Sequence, residues 1–301
     1  MVSDNKNEKL DLFGVPLTNF KSYSHAVDNI FERIRQSRKT FCVAINPEKI
    51  YRSQTDSELM ALINSGDFHI CDGVGAAVAS KILLGRKISR ITGVMLFIHL
   101  IARAEKEGSK VFLLGASPES NEGACRKLKE MHPALKIVGR QDGYFDNDNK
   151  VIRQINNSIA DMLFVAMGSP RQEKWIAQHR DMINAPYCMG VGGTFDIVSG
   201  RVKWAPAIFR KTGTEFLYRL IKDPKRWKRQ LVLPKFAFIV LKARIARLFK
   251  RKGAATKSVS NQAATIQISK PKNIDYTAQQ TKIIDYDSHK NSREGMRLEN
   301  H

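Results

Sequence analysis

A carboxylate, Asp72, stands where a short apolar run of the sequence ends and a glycine-containing turn begins. It follows the strand-like residues 68–71 and precedes Gly73 and Gly75. A carboxylate there faces the crevice in which parallel-sheet enzymes bind ligands, and it can accept a proton as a general base. An Asp-Gly pair is equally typical of a turn or a helix N-cap, so both interpretations stand. The segment lacks the first glycine of the GxGxxG fingerprint, which leaves a dinucleotide site weakly supported.

Three more polar residues occupy positions where a ligand could reach them. Asn46 ends a strand-like run before Pro47, where it could hydrogen-bond a sugar hydroxyl or cap a turn. Gln172 follows Gly-Ser-Pro-Arg at 168–171, at the start of a predicted helix whose N-terminus can attract an anion. Arg90 connects two helical patterns, and an isolated arginine in such a place is more often only solvated.

A glycine turn near the end of the first 200 residues predicts a phosphate site. Gly-Val-Gly-Gly-Thr-Phe-Asp at 190–196 follows the apolar run 187–189. Glycines after a strand allow backbone N–H groups to approach a phosphate closely. The following segment, 201–252, contains 17 Lys and Arg residues and two acids. Together they predict an anionic ligand, an anionic surface, or both.

The elements that would position these residues alternate between strands and helices. Strands are predicted at 41–45, 68–71, 111–114, 135–138, 162–166 and 186–189, and helices near 55–65, 74–84 and 93–107. Helices should also open after Ser117 and around Pro170. This alternation predicts an α/β fold: a Rossmann-like parallel sheet with helices on both faces. Ligands should bind beyond the carboxyl ends of its strands.

Charge and composition divide the chain into three predicted segments. Residues 1–200 form the core, 201–252 a basic helical appendage, and 253–301 a small-residue, polar tail expected to be disordered. Of the net charge of +21, +15 belongs to 201–252. Such a segment can bind nucleic acid, an anionic membrane or a phosphorylated ligand, and charge alone does not decide among them. Its interleaved aromatic residues suit a membrane interface.

Several function classes receive little support. The histidines are scattered without metal-ligand spacing, and no Gly-x-Ser-x-Gly elbow of a serine hydrolase occurs. The N-terminus lacks an apolar signal core, and no run of about 18 apolar residues predicts a membrane-spanning helix. The four cysteines lack CxxC spacing and are predicted to be reduced thiols of a cytosolic protein: Cys42, Cys71, Cys125 and Cys188.

Taken together, the motifs resemble the WecG/TagA/CpsF glycosyltransferase family over roughly residues 10–235. They occur in the family's order, which makes the match more specific than any one glycine loop. The matching pieces are Asp-Gly-Val-Gly at 72–75, Arg-Ile-Thr-Gly at 90–93, Phe-Leu-Leu-Gly-Ala at 112–116, Gly-Tyr-Phe at 143–145, Gly-Ser-Pro-Arg-Gln-Glu-Lys-Trp at 168–175, the glycine turn at 190–196, Arg-Val-Lys-Trp-Ala-Pro at 201–206, Leu-Tyr-Arg-Leu at 217–220 and Pro-Lys-Arg at 224–226.

The resemblance implies an inverting transferase that moves a sugar from a UDP-sugar to a polyprenyl-diphosphate-linked acceptor at the cytoplasmic face of the membrane. Asp72 is then the catalytic base, and no metal or other cofactor is expected. The predicted partners are the UDP-sugar, the polyprenyl-diphosphate-linked acceptor and an anionic membrane surface. Nucleic acid is not expected as a partner, and the resemblance leaves a homo-oligomer open. The predicted substrate-binding residues are Asn46, Gly73, Gly75, Arg90, Thr92, Tyr144, Gln172, Gly192, Gly193 and Asp196, with Arg219, Arg226 and Arg229 of the appendage over the diphosphate.

Two positions depart from the family pattern. Ala44 stands where a hydroxyl residue is expected, and Met95 stands where an acidic residue is common. Both bear on which sugar is transferred more than on the reaction type. Two other classes remain as alternatives: a nucleotide-dependent dehydrogenase, which would need the missing glycine fingerprint, and a nucleic-acid-binding protein that uses the cationic segment with a steep salt dependence.

Overall fold

The structure, a computed structural model, describes residues 8–224 and 227–267. Contacts within the chain divide it into two units, Met1–Arg247 and Leu248–His301. The first unit contains the sheet and the candidate site. The boundary predicted at residue 200 stays a prediction.

The strands and helices alternate along the first unit much as the sequence predicts. The strands are β1 Lys9–Leu12, β2 Val15–Thr18, β3 Thr40–Ile45, β4 Phe68–Cys71, β5 Lys110–Gly115, β6 Lys136–Gln141, β7 Met162–Ala166 and β8 Tyr187–Gly190. The helices are α1 Tyr23–Arg35, α2 Pro47–Ser53, α3 Ser57–Asn64, α4 Val74–Leu84, α5 Gly93–Glu107, α6 Pro118–Met131, α7 Asp148–Asn157, α8 Arg171–His179, α9 Thr194–Val198, α10 Ala207–Thr212, α11 Glu215–Lys222, α12 Trp227–Gln230 and α13 Val232–Gln267.

Strands β3 to β8 form one six-stranded parallel sheet in the order β4-β3-β8-β7-β5-β6. The predicted fold class, a parallel sheet flanked by helices, is confirmed. Pairing aligns the carboxyl ends of neighbouring strands: Ile45 lies opposite Cys71, and Val165 lies opposite Gly190. Residues that follow these strands are therefore brought to a common edge.

Both faces of the sheet are buried along β3, β4, β5, β7 and β8, and successive residues of these strands point to opposite cores. The edge strand β6 is only partly covered. In β5, for example, Phe112 and Leu114 join one core, while Val111 and Leu113 join the other. Helices α2, α3, α4, α7, α8 and α13 contribute buried residues to the first core, and α1, α5, α6 and α9 to the second. This double burial explains why the strands form near-continuous apolar runs in the sequence.

An N-terminal hairpin, β1–β2, and helix α1 were not predicted. The polar opening of the chain masks the alternation of Leu10 and Leu12, which are buried in the first core. The hairpin also covers the edge strand β4, where the Thr18 hydroxyl accepts the His69 backbone N–H at 2.9 Å. Covering an exposed strand edge in this way protects it from pairing with other chains.

The C-terminal helices include residues of the core itself. Phe236 and Val240 of α13 are 4 % and 6 % exposed and belong to the first hydrophobic core. Helix α13 continues to Gln267, so the residues 253–267 that were assigned to the tail are helical, and later residues lie outside the described part. Among the described helices, none combines the length and the apolar character needed to cross a bilayer.

The buried His69 predicts a loss of stability on acidification. Burial lowers its pKa to about 4, although its hydrogen bond to the Ile63 carbonyl at 2.8 Å acts in the opposite direction. The unfolded chain binds a proton near pH 6.5, whereas the folded chain resists it until about pH 4, so the free energy of unfolding falls as the pH drops through this window. Urea titrations should show a loss of up to about 3 kcal/mol from this residue, absent in His69→Leu. Identical pH dependence in the two proteins would contradict the assignment.

Candidate active site

The strand order places the predicted site residues along one edge of the sheet. Asp72 follows β4, Asn46 follows β3, the glycine turn follows β8, and Gln172 lies in the first turn of α8 after β7. These four strands are consecutive neighbours in the sheet. The candidate site is therefore the crevice beyond their carboxyl ends, as expected for a parallel α/β sheet.

Asp72 lies in this crevice between the helices of the two faces. Its backbone N–H donates to the Ile45 carbonyl at 2.7 Å, which fixes it to the end of β3. On one side, a Cβ built on Gly93, the first residue of α5, would lie 3.8 Å from Asp72 Oδ2. On the other side Gly73, with a φ of 113°, turns the chain into α4 and is itself the N-cap residue. The side chain of Asp72 is thus not the N-cap of α4.

Gly75 allows helices α4 and α2 to approach each other beside this turn. A Cβ on Gly75 would come within 2.7 Å of Pro47 Cγ, closer than side chains tolerate. Gly73 and Gly75 therefore have structural roles, one in backbone conformation and the other in close packing. Their predicted contact with the substrate stays a prediction.

Asn46 caps a helix, which was one of its two interpretations. Its Oδ1 accepts the backbone N–H of Lys49 at 2.8 Å at the start of α2. The side chain also lies beside Gly73, the N-cap residue of α4, since the Asn46 Cβ is 3.9 Å from a Cβ built on Gly73. The cap thus holds Asn46 beside Gly73, the residue that follows Asp72.

A buried ion pair, Lys49–Glu173, connects three strand ends and was missed by sequence reasoning. Lys49 Nζ lies 2.7 Å from Glu173 Oε1 and donates to the Ala44 carbonyl at 2.6 Å. Gln172 Nε2 donates to the same Glu173 oxygen at 3.0 Å, and Gln172 Oε1 accepts the Gly192 backbone N–H at 2.9 Å. The network joins the end of β3, the start of α8 and the turn after β8.

The charge state of Glu173 follows from its partners. Burial alone would raise its pKa, but the nearby Lys49 ammonium and the hydrogen bonds from Lys49 and Gln172 hold that pKa below its usual range. Glu173 is 1 % exposed and Lys49 6 %. Glu173 is therefore held as a carboxylate in a place almost closed to solvent.

Hydrogen bonds within the protein hold the glycine turn after β8 in place. Gly192, with a φ of 54°, has its N–H bonded to Gln172, and the Thr194 N–H bonds the Val191 carbonyl at 3.2 Å. Two amides of the predicted phosphate loop are thus already occupied by protein acceptors. Asp196 accepts a hydrogen bond from the Ser120 hydroxyl at 2.6 Å, which fastens the short helix α9 to α6.

A cleft of about 380 Å³ lies next to the crevice, between the start of α5 and helices α10 and α11. Arg90 lines it and binds the C-terminal helices: its Nη2 donates to the Arg210 carbonyl at 2.6 Å and lies 3.5 Å from Glu215 Oε1. Thr92 also lines it and shares a hydrogen bond with the Tyr23 hydroxyl at 3.1 Å. Met95, one of the departures from the family pattern, lies in the same wall.

Cationic side chains and the Trp204 ring line this cleft. The Arg210 guanidinium lies 4.3 Å from the centroid of the Trp204 ring, and Lys211 lines the cleft beside them. The sequence signal for these residues was the mixture of basic and aromatic residues after 201, which did not indicate particular positions. Guanidinium and ammonium groups in a recess suit a phosphorylated ligand.

Some predicted residues are not brought together with Asp72. Tyr144 follows β6, which lies at the opposite edge of the sheet from β4, and its side chain is 78 % exposed. Arg219 and Arg229 lie in α11 and α12, but their side chains, and Arg226 altogether, lie outside the described residues. Their predicted contact with a diphosphate stays a prediction.

Metal ligands do not converge in the described part of the chain: residues 8–224 and 227–267 contain no cluster of three His, Cys, Asp or Glu side chains arranged to hold an ion. Whether transfer requires a metal is a separate matter, and metal independence stays a prediction. Three of the four cysteines, Cys42, Cys71 and Cys188, are buried, and burial raises the pKa of each thiol to about 12.

A two-sided parallel sheet with a carboxylate, amides and a glycine turn at its carboxyl edge defines an α/β protein of the kind that binds nucleotide ligands there. The chain belongs to the Glycosyl transferase WecG/TagA/CpsF family, whose model matches residues 10–250. This confirms the resemblance that the motifs indicated and makes the protein a glycosyltransferase by family.

Two relatives carry the same descriptive name, N-acetylglucosaminyldiphosphoundecaprenol N-acetyl-beta-D-mannosaminyltransferase. The chain is similar to the one from Bacillus subtilis (strain 168), with 38 % identity over 198 residues, which covers 66 % of this chain and 77 % of the relative. It is also similar to the one from Bacillus spizizenii, with 35 % identity over 235 residues, covering 78 % of this chain and 89 % of the relative.

Close packing between the glycine turn and Gln172 predicts that Gly190 tolerates no side chain. A Cβ built on Gly190 would lie 2.8 Å from Gln172 Cδ, inside the buried network. Gly190→Ala should therefore lower the free energy of unfolding by about 1–3 kcal/mol, measured by urea denaturation. Gly193→Ala is the matched control, since its Cβ would meet Asp196 Oδ2 at an ordinary 3.5 Å. Equal losses in both variants would count against this account of the network.

Proposed function

We propose that the protein is an inverting glycosyltransferase that moves an N-acetylhexosamine from a UDP-sugar to a polyprenyl-diphosphate-linked acceptor. The observation that carries the proposal is the position of Asp72, beyond the end of β4 and among the site residues of β3, β8 and β7. The names of both relatives support an N-acetylmannosamine donor and an N-acetylglucosaminyl-diphospho-undecaprenol acceptor as first candidates.

In this mechanism Asp72 removes the proton from the attacking hydroxyl of the acceptor sugar. The hydroxyl oxygen forms a bond to C1 of the donor sugar as the bond from C1 to the UDP oxygen breaks, and UDP leaves with that electron pair. The proton ends on the Asp72 carboxylate. A positioned general base of this type contributes on the order of 10²–10⁴-fold to the rate.

Inversion follows from the direct displacement. The relatives' names specify a β-linked product, and a UDP-hexosamine donor of this kind carries the α linkage. A single attack from the face opposite UDP converts one into the other, with no need for a second carboxylate nucleophile. The site accordingly needs one base near the acceptor hydroxyl, and Asp72 fills that role.

The departing UDP gains negative charge, which needs cationic or N–H partners. The candidates are three cations that line the 380 Å³ cleft: Arg90, Arg210 and Lys211. The cleft lies close to the proposed base, because Arg90 and Thr92 lead into α5, whose first residue lies beside Asp72. A guanidinium pairs phosphate oxygens through its planar fork. Two amides of the glycine turn are engaged by protein groups, and Arg90 is engaged by the Arg210 carbonyl and Glu215. We therefore assign this stabilisation first to Arg210 and Lys211, with Arg90 holding the wall of the cleft in place.

The lipid acceptor requires access to a membrane surface, and the C-terminal helices offer a suitable face. Phe238, Leu241 and Ile245 of α13 are at least 44 % exposed, on a helix that also carries the exposed Lys235 and Lys242. Apolar side chains flanked by lysines favour peripheral binding at an anionic interface. We therefore propose association with the cytoplasmic face of the cell membrane.

Replacement of the proposed base tests the mechanism. Asp72→Asn should lower turnover by at least about 100-fold and leave the thermal unfolding midpoint near that of the wild type, because the amide keeps the shape of the carboxylate. The measurement is UDP release over a panel of UDP-sugars with an N-acetylglucosaminyl-diphosphate lipid as acceptor. Asp181→Asn, an exposed aspartate, is the control. Near-normal turnover in Asp72→Asn would contradict the assignment of Asp72 as the base. A wild-type protein that transfers none of the sugars in the panel would contradict the proposed function.

Charge reversal on α13 tests membrane binding. A truncation near residue 200 would also remove the core residues Phe236 and Val240, so point changes are cleaner. The double variant Lys235→Glu, Lys242→Glu should bind phosphatidylglycerol vesicles at least about tenfold more weakly in a sedimentation assay. High salt should also weaken vesicle binding by the wild-type protein. Lys129→Glu on the exposed face of α6 is the control. Equal binding by all three proteins, or preferential retention on nucleic acid, would reject the membrane assignment.

A further inference from the structure

We propose that the buried Lys49–Glu173 ion pair is a positioning element for the nucleotide-sugar donor, because it fixes the side-chain amide of Gln172 against the glycine turn after β8. The inference rests on the proposed function, since it gives the pair a role in donor binding. Neither residue needs to touch the donor: the pair acts through Gln172 and Gly192.

The burial of the pair is the first argument. Lys49 Nζ and Glu173 Oε1 are 2.7 Å apart, with side chains 7 % and 1 % exposed. Removal of two ions from water is costly, and apolar side chains of similar volume often stabilise a fold equally well or better. Stability alone therefore accounts poorly for this pair, whereas the fixing of a geometry accounts for it.

The orientation of the Gln172 amide is the second argument. An ionised carboxylate only accepts hydrogen bonds, and a backbone N–H only donates one. Gln172 Nε2 lies 3.0 Å from Glu173 Oε1, and Gln172 Oε1 lies 2.9 Å from the Gly192 nitrogen. One of the two amide orientations makes both bonds and the flipped one makes neither. The Lys49 charge keeps Glu173 ionised and thereby selects the orientation that holds the turn.

The reach of Lys49 is the third argument. Its ammonium donates to the Ala44 carbonyl near the end of β3 at 2.6 Å as well as to Glu173. One residue thus fixes the end of β3 directly and the ends of β7 and β8 through Glu173. Asp72 follows β4, outside these three strands. Loss of the pair should therefore affect donor binding more than proton transfer.

Single substitutions in the full-length protein measure this effect. Glu173→Gln and Lys49→Met should each raise the Kd for UDP, measured by calorimetry, and the KM for the donor at least about tenfold, while the acceptor KM stays within about twofold. The pH dependence of kcat, which reports the base, should keep its midpoint.

The matched control lies one residue along the same helix. Lys174 pairs with Glu58 at 2.8 Å, but both side chains are more than half exposed, 51 % and 66 %. Lys174→Met removes a similar pair outside the network, and it should leave the Kd for UDP within about twofold of the wild type. A tenfold change in this control as well would overturn the proposal.

A double variant separates positioning from stability. Lys49→Met with Glu173→Met removes both charges and keeps most of the volume, so its unfolding midpoint should return to within about 3 °C of the wild type. The proposal requires that UDP still binds about tenfold more weakly. A folded double variant with wild-type affinity for UDP would overturn it. Should this variant not fold, Glu173→Gln, which keeps the carboxylate shape, decides by the same measurement.

These outcomes are distinct from a failure of the proposed function. A wild-type protein that neither binds nor releases UDP contradicts the function, and the positioning role falls with it. A wild type that binds UDP, together with Lys49 and Glu173 variants of unchanged affinity, contradicts the positioning role alone.

Discussion

Apolar helices cover both faces of the six-stranded sheet, and this double burial determines where polar chemistry can occur. Most side chains along the five strands other than the edge strand β6 are hydrophobic, because they point into one of two cores. Polar groups collect instead where the parallel strands end. The order β4-β3-β8-β7 then places residues from distant parts of the chain side by side. The crevice, the glycine turn and the buried ion pair all follow from this one constraint.

The parts that sequence reasoning predicted are those with a local signal. Strands buried on both faces are near-continuous apolar runs. Asp72 could be identified from the sequence because it ends such a run and is followed by glycines. The Lys49–Glu173 pair has no local signal, since its members are 124 residues apart and each occurs in an ordinary helical pattern. The same holds for the cleft, where Arg90 meets Arg210 and Glu215 from a segment that composition described only as basic.

The C-terminal helix α13 has two different faces. Composition after residue 201 predicts a basic helical appendage, and Phe236 and Val240 of α13 pack into the same core as the sheet. Arg244 Nη1 also donates to the Ile82 carbonyl of α4 at 3.2 Å. One face of the helix therefore completes the fold while the other carries exposed apolar and basic side chains. Any surface that binds the second face is held close to the crevice by the first.

The position of β8 has a consequence for synthesis of the chain. Among the described residues β8 is the last strand in sequence, yet it lies between β3 and β7 and joins the pair β4–β3 to the group β7–β5–β6. A strand cannot pair before it has been translated, so the edges of β3 and β7 that pair with β8 lack this partner until residue 190 has left the ribosome. Unpaired strand edges of this kind are aggregation-prone. Completion of the sheet and formation of the crevice are therefore one late event in the life of each molecule.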